Sequence, residues 1–178
     1  MLLLPYLEEK ETYAAYNFNE PWDGPNNRKL ADRIPRQYVF HGLERSSNIT
    51  TNYLAVVGDD TVWSPTRKVS WKDVKDGTSK TISIIENRGA SIHWMEPRDP
   101  SLKDLDFQIN SPNGISSPYT APAVLMADGY LGRLHPSLRP EVLRAMFTIA
   151  GSEKVEHEGY EGWRILDDGR NRSLTETP

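Results

Sequence analysis

Ala123-Val124-Leu125-Met126-Ala127, then Asp128-Gly129, then Tyr130-Leu131-Gly132-Arg133-Leu134 is the stretch that decides how this chain is read. Two largely apolar runs flank the dipeptide that a two-residue type I′ turn requires, because both central residues of that turn take positive φ. The stretch reads as an antiparallel β-hairpin with Asp128 and Gly129 at its tip. A lone hairpin is marginal in water, so further strands must lie beside it. The candidates upstream are Gln37 to Phe40, Tyr53 to Val57, Thr81 to Glu86 and Ile92 to Met95, all rich in β-branched or aromatic residues. In Thr81 to Glu86, Ile82 and Ile84 alternate with Ser83 until Ile85 breaks the pattern. That is the signature of a strand covered on one face at its start and on both near its end.

Helical periodicity appears on either side. Leu138 to Ala150 places Leu138, Val142, Met146 and Ile149 on one stripe, with Pro140 in the first turn and Gly151 positioned to cap the end. Pro5 to Phe18 repeats Leu4, Leu7, Ala14, Ala15 and Phe18 at helical spacing and gathers Glu8, Glu9, Lys10 and Glu11 on the wet side. The turn formers of Asn19 to Asn27 end that helix. Glu96 to Pro122 holds Pro97, Pro100, Pro112, Pro118 and Pro122 and no sustained period. It is expected to be the mobile or variable loop, pinned to the body by Leu102, Leu105, Phe107 and Ile109. The expected fold class is therefore α+β, an antiparallel sheet of about four to six short strands with flanking helices and a long irregular loop. Residues 1–153 read as one globular domain and 154–178 as an acidic tail around the apolar knot Trp163-Arg164-Ile165-Leu166.

The chain has 178 residues, 21 basic against 25 acidic, and a formal net charge of −4. That balance offers no general attraction to a phosphate backbone, so nucleic acid is not an expected partner. Five Trp and eight Tyr make the chain too aromatic for a disordered segment. Without a single cysteine there are no disulfides, iron–sulfur clusters or thiolate zinc sites. The apolar run Met1 to Leu4 stops at Pro5, too short for a signal peptide or a spanning helix, so no membrane span is expected in this chain and no signal sets its location.

Few residues announce chemistry. His41, His93, His135 and His157 are scattered and lack the i, i+4 pairing of a helical zinc site, so no metal or other cofactor is expected. Asp59-Asp60, Asp104 with Asp106, and Asp167-Asp168-Gly169-Arg170-Asn171 offer hard oxygen ligands, yet none has the spacing of a calcium loop. No Gly-X-Ser-X-Gly elbow or phosphate loop is present. A hydrolase would have to be built around His93 with Glu96, and Glu86 and Asp99 nearby, which requires a carboxylate within hydrogen-bond reach of the imidazole. Trp63, Trp71 and Trp94, with Tyr53 and Tyr119, would suit a stacking platform for a solute or glycan if exposed, and core packing if buried.

Eight segments in fixed order carry a resemblance. They are Leu3-Leu4-Pro5-Tyr6-Leu7-Glu8, Tyr13, Glu20-Pro21-Trp22-Asp23 with Asn26-Asn27-Arg28-Lys29-Leu30, Thr51-Asn52-Tyr53-Leu54-Ala55-Val56-Val57-Gly58, Asp76-Gly77-Thr78-Ser79-Lys80-Thr81 with Glu86, Trp94-Met95-Glu96-Pro97-Arg98-Asp99, Ala127-Asp128-Gly129, and Leu143-Arg144-Ala145 to Ala150-Gly151-Ser152-Glu153. In this order the chain resembles a planctomycete family of pseudopilin-like, prepilin-type proteins of unknown function, sometimes filed as bacterial solute-binding proteins. The resemblance implies the globular head of a pseudopilin, a place in the cell envelope, and self-association or pseudopilin-type proteins as partners. It implies a structural role for Trp22, Asp76, Gly77, Thr78, Ser79, Glu86, Asp128 and Gly129. The Asp76 side chain is expected to bond its own turn, with Gly77 at positive φ.

Two family features are replaced. Pro118 stands where relatives carry a His ten positions before the Asp of the Asp-Gly hairpin, and Phe40-His41-Gly42-Leu43 stands where many carry Cys-Pro-Ser. Relatives also precede this region with a long apolar helix that packs on the sheet. Three candidates are expected to cover the corresponding face here: a second copy, the helix Pro5 to Phe18, or the tail around Trp163.

Overall fold

The computed structural model describes residues 1–40, 49–153, 155–158 and 162–165. Four strands, β1 (Tyr53–Ala55), β2 (Ile82–Glu86), β3 (Ala123–Met126) and β4 (Leu131–Arg133), form one antiparallel sheet in the order β1-β2-β3-β4. Two helices, α1 (Lys10–Ala15) and α2 (Pro140–Ala145), and several 3-10 turns surround it, and a separate hairpin pairs β5 (Val155–Glu158) with β6 (Gly162–Ile165). This is a small α+β fold. Among the described residues no helix is long and apolar enough to cross a membrane.

The hairpin read from Ala123 to Leu134 is present, with a different tip. Gly129 N–H donates to Met126 O at 3.0 Å and Met126 N–H to Tyr130 O at 2.8 Å, leaving Ala127, Asp128 and Gly129 as a three-residue loop. Gly129 has φ of 90° whereas Asp128 is not in the left-handed region, so the turn is type I closed by a glycine bulge and not type I′. β2 holds a second irregularity: its register with β3 shifts between Ile82 and Ile84. The shift puts Ile82 on the same face as Ile85, both essentially fully buried, and turns Ile84 to the other side.

Two expected strands and part of two expected helices do not form. Arg36–Tyr38 is a 3-10 turn started by Pro35, and Phe40 is buried with its N–H bonded to Asn52 Oδ1 at 3.1 Å. Ile92 to Met95 makes a bridge from His93 to Thr50 and then a turn closed by Glu96 N–H on His93 O. Pro5 to Phe18 is broken at Glu8, whose φ of 64° separates a 3-10 turn, Leu4–Leu7, from α1. The break lets Leu4 reach a core that the face through Ala14 and Ala15 does not touch; Ala14, Ala15 and Phe18 are exposed, and Thr12 is the buried residue of α1. α2 is shorter than its stripe, yet Leu138, Val142, Met146 and Ile149 are all buried.

Two cores result. The larger packs Leu54, Ile82, Ile85, Val124 and Met126 of the sheet against Val142, Leu143, Met146 and Phe147 around α2, with Leu102, Leu105 and Ile115 from the long loop. Phe107 and Ile109 lean on it, so the loop is pinned where the sequence placed its anchors. Val155 joins the same core, and β6 lies beside α2. The smaller core gathers Leu4, Leu30, Trp94 and Met95, with Tyr13, Tyr16, Trp22 and Tyr38 around them. His41 to Leu43, Asp167 to Asn171 and the side chains of His157, Trp163 and Ile165 lie outside the described residues.

Candidate functional site: the outer face of the sheet

Residues directly opposite one another in an antiparallel sheet carry their side chains on the same face, so the register assigns each face. Leu54, Ile85, Val124 and Gly132 form the row over the larger core. The rows on either side of it point the other way. One runs Ala55, Ile84, Leu125, Leu131, and beside it lie the pairs Tyr53–Glu86 and Ala123–Arg133. Neither described helix packs on this outer face, since α2 belongs to the core side and α1 to the smaller core. The expected cover from Pro5 to Phe18 is thus not provided: the break at Glu8 sends those residues to Trp94 and Met95. Ala55, Ile84 and Leu125 are partly buried and Leu131 is 66% exposed.

These two pairs have their own electrostatics. Glu86 is buried, and its Oε2 accepts the N–H of Ala123 at 2.7 Å while its main-chain oxygen accepts that of Ser116 at 3.0 Å. Burial raises the Tyr53 phenol above its ordinary range; the Glu86 carboxylate and the Tyr119 phenol push the same way, and Arg133 opposes them. The Arg133 guanidinium lies 5.9 Å from the Tyr119 ring centre and donates to Ala121 O at 2.9 Å.

The aromatics proposed as a platform part company. Trp94 is core, with its indole N–H on Ala31 O at 2.7 Å. Trp63 is 45% exposed and hydrogen-bonded through its indole N–H to Ser83 O at 2.8 Å, which ties it to β2. Trp71 stands 68% exposed on a 3-10 turn fixed by a Ser70–Asp73 capping box, and Tyr119 is exposed beside Arg133.

Trp22 and His93 do meet. Their rings lie 4.7 Å apart, and Trp94 stacks at 6.3 Å from the imidazole on the same residue. The imidazole Nδ1 accepts the N–H of Met95 at 3.1 Å, while the Glu96 carboxylate binds Arg98 and the main-chain N–H of His93. No hydrogen bond joins the imidazole to a carboxylate among the described residues, so the pairing a hydrolase needs is not formed. Asp99 instead accepts the N–H of Ala55 at 3.0 Å, and burial lifts its pKa above the usual carboxylate value. Asp59 takes the Thr66 hydroxyl and Asp106 the Gln108 N–H. No group of three His, Asp or Glu suited to a metal occurs among the described residues. A polar cleft of about 600 Å³ between Glu8–Thr12 and Asp32–Ile34 contains none of the candidate catalytic, metal or platform residues named from sequence.

Five of the motif residues, Asp76, Gly77, Thr78, Asp128 and Gly129, meet at one corner, whereas Trp22 lies on His93 and Glu86 beside Tyr53. Gly77 has the expected positive φ, 100°, but Asp76 reaches away from its own turn: its oxygens accept from Gly151 N–H at 2.7 Å, Ser152 N–H at 3.2 Å and Thr148 Oγ1 at 3.3 Å. Thr78 O accepts the N–H of Asp128, and Thr81 O that of Ala127. Ser79 is exposed. The Asp-Gly-Thr-Ser turn therefore fastens the hairpin tip and the segment that follows α2 to the start of β2. Buried amides that sequence alone gave no reason to select do the same elsewhere. Asn52 bonds Phe40 N–H and Asn87 O, and Asn87 bonds Gly114 O, Gly89 N–H and Ala90 N–H.

Comparison with protein-family models, with curated proteins and with solved structures returns no match to this chain.

Proposed function

We propose that this chain is a non-enzymatic, envelope-associated interaction module of the pseudopilin-like kind, and that it docks an apolar helix of a pseudopilin-type partner on the outer face of its sheet. The observation that supports this reading is the row Ala55, Ile84, Leu125, Leu131, which crosses all four strands with no described helix over it. Fully burying an aliphatic side chain is worth about 1.5 to 3 kcal/mol, so covering what remains open on Ile84, Leu125 and Leu131 supplies a substantial driving force for docking. Asp76 and Thr78 hold the hairpin tip and the segment after α2 to the start of β2 and have no part in docking. The test is fractionation of the endogenous protein, detected by antibody. Recovery with the envelope supports the proposal, and recovery wholly in the soluble pool overturns it.

A further inference from the structure

The two edges of the sheet are unlike. Along β1 three of the four outward backbone groups are taken. Thr51 Oγ1 accepts the N–H of Tyr53 at 3.2 Å and donates to its carbonyl at 3.1 Å. Asp99 accepts the N–H of Ala55, and beyond the strand Val57 bonds Pro100 O and Leu102 N–H, each at 2.9 Å. β4 is the opposite case. Met126 N–H to Tyr130 O and Leu134 N–H to Pro122 O mark the residues that face β3. Antiparallel alternation then places Gly132 in the same set and turns the N–H and C=O of both Leu131 and Arg133 outward. Those four groups have no partner among the described residues. β4 carries no proline and no bulge, and Tyr130 and Leu131 are 65% and 66% exposed. An edge of that kind is a template for another strand.

We infer that β4 pairs with β4 of a second copy, antiparallel about a two-fold axis at Gly132, joining two four-stranded sheets into one. The strand is self-complementary in this register. Leu131 of each copy meets Arg133 of the other as a hydrogen-bonded pair, which uses all the outward groups of both strands in four hydrogen bonds. Gly132 meets its own copy between them, at the position of closest approach, where backbones lie about 4.5 Å apart and no side chain intervenes. Arg133 faces leucine across the axis, not arginine, so its aliphatic stem packs on an apolar neighbour without a direct like-charge pair. Because β1 has only one outward group left to pair, addition stops at two and no open fibre is built. The inference stands apart from docking on the outer face: edge pairing uses backbone groups in the plane of the sheet, docking uses side chains above it, and either can fail alone.

The chain has no cysteine, so one introduced thiol is the sole thiol of the protein. A Cβ added at Gly132 meets Tyr130 and Val124 at 3.7 and 3.8 Å, ordinary contact, so Gly132→Cys is tolerated. Under mild oxidation Gly132→Cys is expected to form a disulfide-linked dimer at least about tenfold faster than Asp128→Cys at the exposed hairpin tip, because pairing holds the two thiols at high effective concentration. Leu131→Pro, which removes an outward N–H and no internal bond, is expected to abolish the concentration-dependent dimer of the otherwise unaltered chain in sedimentation. Equal cross-linking rates for the two cysteine variants overturn the inference, as does a monomer at every concentration from micromolar to near-millimolar. If Leu131→Pro fails to fold, the cross-linking comparison still decides. A β4 edge that pairs only with an extended segment of a different protein would appear as that monomer.

Discussion

Asp76 and Gly151 are 75 residues apart in the chain, and the Oδ2 of the first accepts the N–H of the second at 2.7 Å. With Ser152 N–H and the Thr148 hydroxyl also on this carboxylate, one side chain closes the segment after α2 onto the turn that enters β2. Asp76→Ala is expected to cost about 1 to 2 kcal/mol, since it leaves the N–H groups of Gly151 and Ser152 without their acceptor at a partly exposed site, while the Thr148 hydroxyl keeps Ala145 O. Asp76→Asn, with one carbonyl acceptor in place of two oxygens, should lie between. Urea denaturation of the three proteins measures both, and an Asp76→Ala midpoint equal to that of the parent would refute the linkage.

Gly129 has φ of 90° and nothing within 4 Å of an added Cβ, so substitution there tests backbone strain alone. Gly129→Ala should destabilise by about 1 kcal/mol, and Gly129→Asn by less because asparagine tolerates the left-handed region. Thermal unfolding of the pair reads the difference. A type I′ tip would demand positive φ at Asp128 too, and Asp128→Gly would then stabilise the protein markedly. The three-residue loop predicts little effect.

The amides of Asn52 and Asn87 form a buried chain from Phe40 through to Gly114. Asn87→Ala removes acceptors or donors from Gly114, Gly89 and Ala90, at a cost on the order of 3 kcal/mol. Gly114→Ala should be as damaging for a different reason: its Cβ would run into the carbonyl oxygen of Asp106, which is backbone and cannot swing aside. Tolerance of both changes in a denaturation series would remove this network from the account.

His93 is held below its ordinary titration range chiefly by burial, against the opposing pull of Glu96 and Asp32, and its Nδ1 is already an acceptor for Met95. The unfolded chain therefore takes up this proton at higher pH than the folded one. Stability contributed by the neutral ring is present above the usual value of 6.5 and is lost as pH falls below it. The slope from a single group is at most about 1.4 kcal/mol per pH unit. Denaturation midpoints between about pH 5 and pH 8 should show this slope in the parent and a flatter one in His93→Gln. Parallel profiles would mean that His93 titrates freely.

How much of this was legible in sequence depended on how local its cause was. The hairpin at Asp128-Gly129, the stripe Leu138, Val142, Met146 and Ile149, and the loop anchors Leu102 and Leu105 announced themselves through period and turn chemistry. What escaped depended on contacts far along the chain. Glu8 breaks the first helix because Leu4 has a core to reach beside Leu30 and Trp94. The bulge after Ile82 reverses the facing of Ile84, and no alternation rule foresees a bulge inside a run of isoleucines. Asp76 was assigned to its own turn, the commonest partner for such a residue, when Gly151 and Ser152 supplied better-placed donors. The outer face was hidden for the same reason: Ile84 reads as a companion of Ile82 until the register is known.

We propose that the face carrying Ile84 and Leu125 receives an apolar helix from a pseudopilin-type partner. The most direct test is a photo-reactive phenylalanine analogue at Leu125 in the producing cells, with the same probe at Glu141, exposed on α2 beyond the opposite face of the sheet, as control. A cross-linked adduct is expected at Leu125 and none at Glu141, with the peptide map of the adduct leading to the apolar helix of a prepilin-type protein. Identical behaviour at the two positions, or an adduct at Leu125 to a protein without such a helix, would contradict it.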